Sequence, residues 1–302
     1  MPDTKPFDPQ DLFRIACRPA LPLDTRDVME LTRTTWEGHD YIPQVWADWL
    51  ADPEGLIAIA EYGGRVVGLV KLSRLGKAEW WLEGLRVHPQ YKGRGFASHL
   101  FEYILDFWHR ACRDNPGPNI VRLITASDNL AVQHMCDRLG FTKIVEYGFF
   151  GADTLQETAR ASFTPIFLNE VSQAYDFALH NPAPDLTYGL IDLGYQLASP
   201  TERTIEAAIG RSMAWWWGGR LGVVIAYENP EDKAFSIQWV VGPIDQMVDC
   251  LLDFRRLSAE SGLGHVRWFA PRHPDLLQIL DKAGFGRDWD EIVCLYEKRC
   301  SL

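Results

Sequence analysis

Apolar positions along the chain switch between a period of two and a helical period, and the switches set out its elements. Residues 13–18 read as a short strand. Asp24 or Thr25 can cap a helix running to about Trp36, with Val28, Leu31 and Thr35 at helical spacing. A break at 38–42 precedes Pro43, which suits the first position of a helix over 43–51. Val45, Trp46 and Trp49 share one face of it. Residues 56–62 and 65–72 are β-rich and flank Gly63-Gly64, a two-residue hairpin signal. A third strand is expected over 79–87. A helix follows over 93–109, striped by Leu100, Tyr103, Ile104, Phe107 and Trp108. Strand 119–125, helix 129–139 and strand 142–149 complete an order βααβββαβαβ.

The second half partly repeats this. Residues 214–227 and 234–241 read as strands around an Asn229-Pro230-Glu231-Asp232 turn. Helix 245–261, strand 265–270, helix 274–283 and strand 292–297 follow. Leu139-Gly140-Phe141 corresponds to Ala283-Gly284-Phe285, each after a helix and before a strand. A diverged duplication is expected, with domains at 1–153 and 187–302 and a linker at 154–186.

Composition narrows the function classes. The 302 residues fit about two domains. The net charge of −11 argues against a nonspecific nucleic-acid binder, which needs a basic surface. It leaves room for a small anionic ligand, since a helix N-terminus can hold phosphate in an acidic protein. The 12 Trp point to aromatic cores or an aromatic-lined pocket. The Trp215-Trp216-Trp217 run reads as interdomain packing. Residues 1–10 are polar and lack a signal-peptide pattern. No apolar stretch approaches the roughly 20 residues needed to span a bilayer. The six Cys form no CxxC pair, and the His do not fall at metal-ligand spacing. The expectation is a cytoplasmic, reduced protein with no metal, membrane or nucleic-acid partner; a homodimer is left open.

One segment carries chemistry: Trp81-Leu82-Glu83-Gly84-Leu85-Arg86-Val87-His88-Pro89-Gln90-Tyr91-Lys92-Gly93-Arg94-Gly95-Phe96-Ala97. A strand ends, a Gly-rich turn follows and a helix begins. Small residues let backbone N–H groups approach a ligand, and the helix N-terminus adds partial positive charge. Lys92 and Arg94 add local positive charge, which suits a pyrophosphate. Neither a Walker A sequence nor GxGxxG is present.

The segment resembles motif A of the GNAT superfamily of acetyl-CoA-dependent N-acetyltransferases, Q/R-x-x-G-x-G/A after V-x-P. It stands here as Lys92-x-x-Gly95-x-Ala97 after Val87-His88-Pro89, with Lys in place of Gln or Arg. A second family motif, N-x-x-A-x-x-x-Y-x-x-x-G-F, is matched by Asn129, Gly140 and Phe141, with Cys136 in the Tyr position. The run from Trp36 to Pro43, Trp49-Leu50 and Asp52-Pro53, taken with Glu83 to Val87, resembles the histidine N-acetyltransferase-like branch.

The resemblance implies an α+β GNAT fold, with a mostly antiparallel sheet flanked by helices and a degenerate GNAT-like second domain. It implies acetyl-CoA as acyl donor and a small amine as acceptor. Backbone groups of Leu85, Arg86 and Val87 are expected along the pantetheine. Lys92, Gly93, Arg94, Gly95, Phe96, Ala97 and Ser98 are expected at the pyrophosphate, with Asn129 as a further contact. Glu83 is the candidate base; it lies four residues before Val87 on the same strand, so the two are expected to share a face. Cys136 is the candidate proton donor in place of Tyr, with Tyr147 or water as substitutes. Asp40, Tyr41 and Trp81 are the candidate acceptor-site residues. The second half carries Gly242-Pro243 where the turn would be, and Pro243 has no N–H, so no CoA site is expected there. An acyl-CoA sensor without turnover and a protein N-terminal or lysine acetyltransferase are the competing readings.

Overall fold

The computed structural model describes residues 15–33, 35–115, 117–156, 159–180 and 184–300. The first half runs β1 (Ala16–Pro19), α1 (Thr25–Thr32), α2 (Ile42–Ala51), β2 (Leu56–Tyr62), β3 (Arg65–Arg74), β4 (Glu79–Val87), α3 (Phe96–Asp114), β5 (Ile120–Ala126), α4 (Leu130–Arg138) and β6 (Thr142–Asp153). The second half runs β7 (Phe163–Pro165), α5 (Val171–His180), α6 (Pro184–Thr187), β8 (Ile191–Asp192), β9 (Leu197–Ala198), α7 (Glu202–Gly210), β10 (Ala214–Trp217), β11 (Gly222–Asn229), β12 (Ala234–Val241), α8 (Met247–Glu260), β13 (His265–Pro271), α9 (Pro274–Lys282) and β14 (Gly286–Arg299). Phe13 and Arg14 of the expected first strand, and residues 1–10, lie outside the described residues.

The chain packs as two units whose residues interleave. One comprises 1–123, 134–142 and 297–302; the other comprises 124–133 and 143–296. In the first unit β1, β2, β3 and β4 pair antiparallel in sequence order, and β5 joins β4 in parallel. The second unit repeats the pattern. Strands β7, β10, β11 and β12 pair antiparallel, β13 joins β12 in parallel, and β6 pairs antiparallel with β13. The duplication inferred from scattered residue matches is therefore present as a repeated strand order.

Gly63 and Gly64 both take positive φ (60° and 76°), as the tight β2–β3 hairpin requires. Strand β3 is buried on both faces. An added Cβ at Gly68 would lie 3.1 Å from Leu100 of α3, while its neighbour Leu69 packs with Val28, Trp46 and Trp49 from α1 and α2. Successive strand residues point to opposite faces, so α3 covers one side of the sheet and α1 and α2 the other. Helix α3 sinks Phe96, Leu100, Phe101, Ile104, Leu105 and Trp108 onto its side.

Three expectations change here. The run over 214–227 is two strands, broken by Gly218 and Gly219 at positive φ. The stretch 154–186, expected as linker, carries β7 and α5, and Ile166, Val171, Ala174 and Ala178 enter the second core. The Trp215-Trp216-Trp217 run, expected between domains, packs within the second unit. Trp215 lies against Phe235 and Phe254, Trp216 lies against Phe177, and Trp217 Nε1 donates to Asp253 at 3.0 Å.

Candidate active site

Strand β4 does not alternate regularly. It pairs with β3 as Leu72↔Leu82 and Lys71↔Glu83, then as Leu69↔Arg86 and Gly68↔Val87. Between Glu83 and Arg86 it thus spends one residue more than its partner, which is a β-bulge. Gly84 carries it at φ 68°, with an added Cβ only 2.5 Å from Trp49 Cη2. The bulge reverses the face of everything beyond it. Paired residues share a face, and Lys71 and Gly68 lie on opposite faces, so Glu83 and Val87 do as well. This corrects the expected shared face of those two residues. Instead Trp81, Glu83 and Arg86, opposite Ser73, Lys71 and Leu69, all lie on the α1–α2 side.

Asp40 and Tyr41, just ahead of α2, come to the same place. Asp40 Oδ2 accepts from Arg86 Nε at 2.8 Å, and its Oδ1 accepts from Arg86 Nη2 at 3.1 Å and the Ile42 amide at 3.1 Å. The Asp40 side chain is 1% exposed and that of Arg86 13%. This carboxylate is committed to positioning Arg86 and starting α2, which corrects the expectation that it receives an acceptor's ammonium. Arg86 also lies over the Tyr41 ring, 5.6 Å from its centroid, and Tyr41 meets Trp49 edge-on at 6.0 Å. Burial pushes the Tyr41 phenol up, and the nearby Glu83 charge pushes the same way.

Glu83 Oε1 accepts from Ser73 Oγ at 2.7 Å. Beside it on the neighbouring strand, Lys71 is fully buried and pairs with Asp52. Burial alone would raise the Asp52 carboxyl, but Lys71 and the Glu54 and Gly55 amides outweigh it and hold the group below its usual range. Ser73, Lys71 and Asp52 were missed from the sequence, although a Lys inside the apolar run of β3 is a signal that could have been followed. Trp81 is 2% exposed on the Glu83 face, while Trp80 turns to the other side and meets Phe107 of α3 edge-on at 6.3 Å.

The parallel ladder between β4 and β5 covers Glu79, Trp80 and Trp81, so Leu85, Arg86 and Val87 lie beyond its end. A 3-10 turn at Pro89–Tyr91 then leads to Gly93 and Gly95, at φ 75° and 84°. Gly95 caps α3, and its carbonyl accepts from the His99 amide at 3.1 Å. The amides of Phe96, Ala97 and Ser98 are therefore first-turn donors with no intrahelical partner position. No acidic side chain stands in that turn. Lys92 is exposed, and Arg94 lies 5.5 Å over the Tyr91 ring. Tyr62, Tyr91 and Phe96 meet edge-on at 5.6–5.8 Å and brace the turn. A further cation was missed: Arg138 Nη2 donates to Ser98 Oγ at 2.7 Å, which brings a guanidinium to the start of α3. The residues present thus fit a pyrophosphate, with left-handed glycines, open first-turn amides and basic side chains but no acid.

The expected proton donors do not join this set. Cys136 is 0% exposed, and burial, with Asp137 adding to it, pushes its thiol up to about 12. It packs in the core. Tyr147 belongs to the second unit, 2% exposed and 4.9 Å from Phe269. Asn129 is exposed at the head of α4, where its Oδ1 accepts from the Val132 amide at 3.4 Å. Among the described residues there is no His/Cys/Asp/Glu cluster able to hold a metal, and no helix long and apolar enough to cross a membrane.

Residues 25–141 match the family model described as acetyltransferase (GNAT) family. A human protein described as probable N-acetyltransferase 16 is 26% identical over 206 residues, covering 63% of this chain and 55% of that protein. A histidine N-acetyltransferase from Oreochromis niloticus is 27% identical over 183 residues, 54% of each. The match thus spans about half the length of these curated relatives. A GCN5-related N-acetyltransferase from Sphaerobacter thermophilus shares the fold, with a TM-score of 0.64 at 13% identity over 95% of this chain and 96% of that one.

Proposed function

With residues 25–141 forming an acetyltransferase domain of the GNAT family, we propose that the chain transfers an acetyl group from acetyl-CoA to the primary amine of a small acceptor. What supports this most is the continuous stretch from β4 into α3, where an acid, a bulge and an anion cradle follow one another. The Phe96, Ala97 and Ser98 amides hold the pyrophosphate, and Lys92, Gly93, Arg94 and Gly95 shape and charge the turn before them. Leu85, Arg86 and Val87 offer backbone groups along the pantetheine as an added strand would. Acetyl-CoA supplies an activated thioester carbonyl.

Glu83 takes the proton that the acceptor nitrogen must lose, directly or through one water. Ser73 fixes the carboxylate by its hydrogen bond, and Trp81 and Tyr41 form the walls beside it. Arg86, held by Asp40, keeps the charge on this face balanced. Water protonates the departing thiolate, since Cys136 and Tyr147 are packed elsewhere. Free amino acids are the acceptor class to test, beginning with histidine, because relatives of this chain bear that name. The packed position of Cys136 favours one other reading, an acyl-CoA sensor without turnover.

Glu83→Gln tests the base. It should lower kcat by about a hundredfold or more while leaving acetyl-CoA affinity unchanged. A normal kcat with the wild-type pH profile would remove Glu83 from the role.

A further inference from the structure

The face that carries Glu83 also carries a cation to which the transfer chemistry gives no task. Arg86 lies there only because of the bulge; a regular strand would turn residue 86 to the α3 side. Its guanidinium is fixed in place. Asp40 takes the Nε–Nη2 edge at 2.8 and 3.1 Å, Nη1 donates to the Leu85 carbonyl at 3.1 Å, and the Tyr41 ring centroid lies 5.6 Å away. The carboxylate is the deeper partner, at 1% side-chain exposure against 13% for Arg86. Asp40 thus stands behind Arg86, and a ligand reaches the pair from the Arg86 side. Glu83 and Arg86 also converge on one point. After burial itself, the charges that act on the Tyr41 phenol are those of Glu83, Arg86 and Asp40, so one ring is within reach of all three.

The spacing suits one class of acceptor. Glu83 and Arg86 stand opposite Lys71 and Leu69, two residues apart on β3, which is about 7 Å along the strand. In an α-amino acid the nitrogen and the carboxyl carbon are about 2.5 Å apart. A hydrogen bond of about 3 Å at each end brings the whole span to about 8 Å. The molecule therefore fits lengthwise between the two groups, and its poles match theirs in order. A guanidinium has two bidentate edges; with Asp40 on one, a ligand carboxylate meets the Nη1–Nη2 edge. Because Asp40 and Tyr41 already hold the fork, little ordering is lost when it binds.

We propose that Arg86 binds the carboxylate of a free α-amino acid acceptor, whose ammonium lies at Glu83. The inference rests on the acetyl-transfer reading of this site and adds what selects the acceptor. A simple amine has no group for Arg86. A peptide N-terminus has an amide where the carboxylate would be, so it lacks the same anchor.

The test is CoA thiol release from acetyl-CoA at pH 8 with amino acids and the amines left when they lose the carboxyl group. The pairs are alanine with ethylamine, leucine with isoamylamine, and histidine with histamine. In a pair the wild type acetylates, kcat/KM should be about thirtyfold higher for the amino acid, carried by KM. Arg86→Lys keeps the charge and loses the fork. It should lower kcat/KM about tenfold more for the amino acid than for the amine, again through KM. A structural fault would lower both alike. Should that variant not fold, the wild-type pairs decide alone. Equal or faster release with the amines overturns the proposal and leaves acetyl transfer standing. So does a folded Arg86→Lys that loses both activities in equal measure. No release from any amino acid or amine defeats the transfer reading, and this inference with it.

Discussion

Asp40→Asn separates two roles for a residue at the mouth of the candidate site. The substitution removes the charge but keeps an oxygen for the Ile42 amide. Arg86 is then left 13% exposed without its bidentate partner. Breaking a buried pair costs about 3–5 kcal/mol, and partial rehydration of Arg86 brings the expected loss to about 2–3 kcal/mol. Arg86→Gln strands the more deeply buried carboxylate and should cost at least as much. In the double variant the losses should fail to add by about 2 kcal/mol, because both remove one interaction. Urea unfolding of the four proteins measures the cycle, and steady-state kinetics on the same samples reads the site. Unchanged stability in Asp40→Asn with a raised KM for the acceptor would refute the reasoning, because Asp40 would then be binding the ammonium.

Two further outcomes follow from the same geometry. Gly84→Ala places a Cβ 2.5 Å from Trp49 at φ 68°, so backbone strain and overpacking should together cost about 3 kcal/mol; an unshifted urea midpoint would contradict the bulge. Cys136→Ala should lose about 1 kcal/mol of stability as a small core truncation with kcat unchanged; loss of turnover at full stability would restore the thiol as proton donor.

What could be read from the sequence was local. Strand 79–87 and the turn into α3 were legible because residue type alone fixes them: an apolar run, Pro89, then Gly93 and Gly95 where φ is positive. Trp81 and Glu83 share a face because both precede the bulge. The opposite facing of Glu83 and Val87 was hidden, because a bulge shows only in the register with β3. The Asp40–Arg86 pair joins positions 46 residues apart, and no local pattern connects them. Strand β7 and helix α5 were lost in the stretch 154–186 read as a linker, because their buried residues are few and the second core supplies the contacts that order them.

The central claim is tested most directly by CoA thiol release from acetyl-CoA over a panel of free amines, beginning with histidine. Wild type should be compared with Gly95→Glu, which sets a strained, negatively charged residue at φ 84° in the cradle. The account predicts amine-dependent release by the wild type, and neither release nor acetyl-CoA binding by a folded Gly95→Glu. Wild-type binding without release on any amine, or undiminished acetyl-CoA affinity in Gly95→Glu, would contradict it.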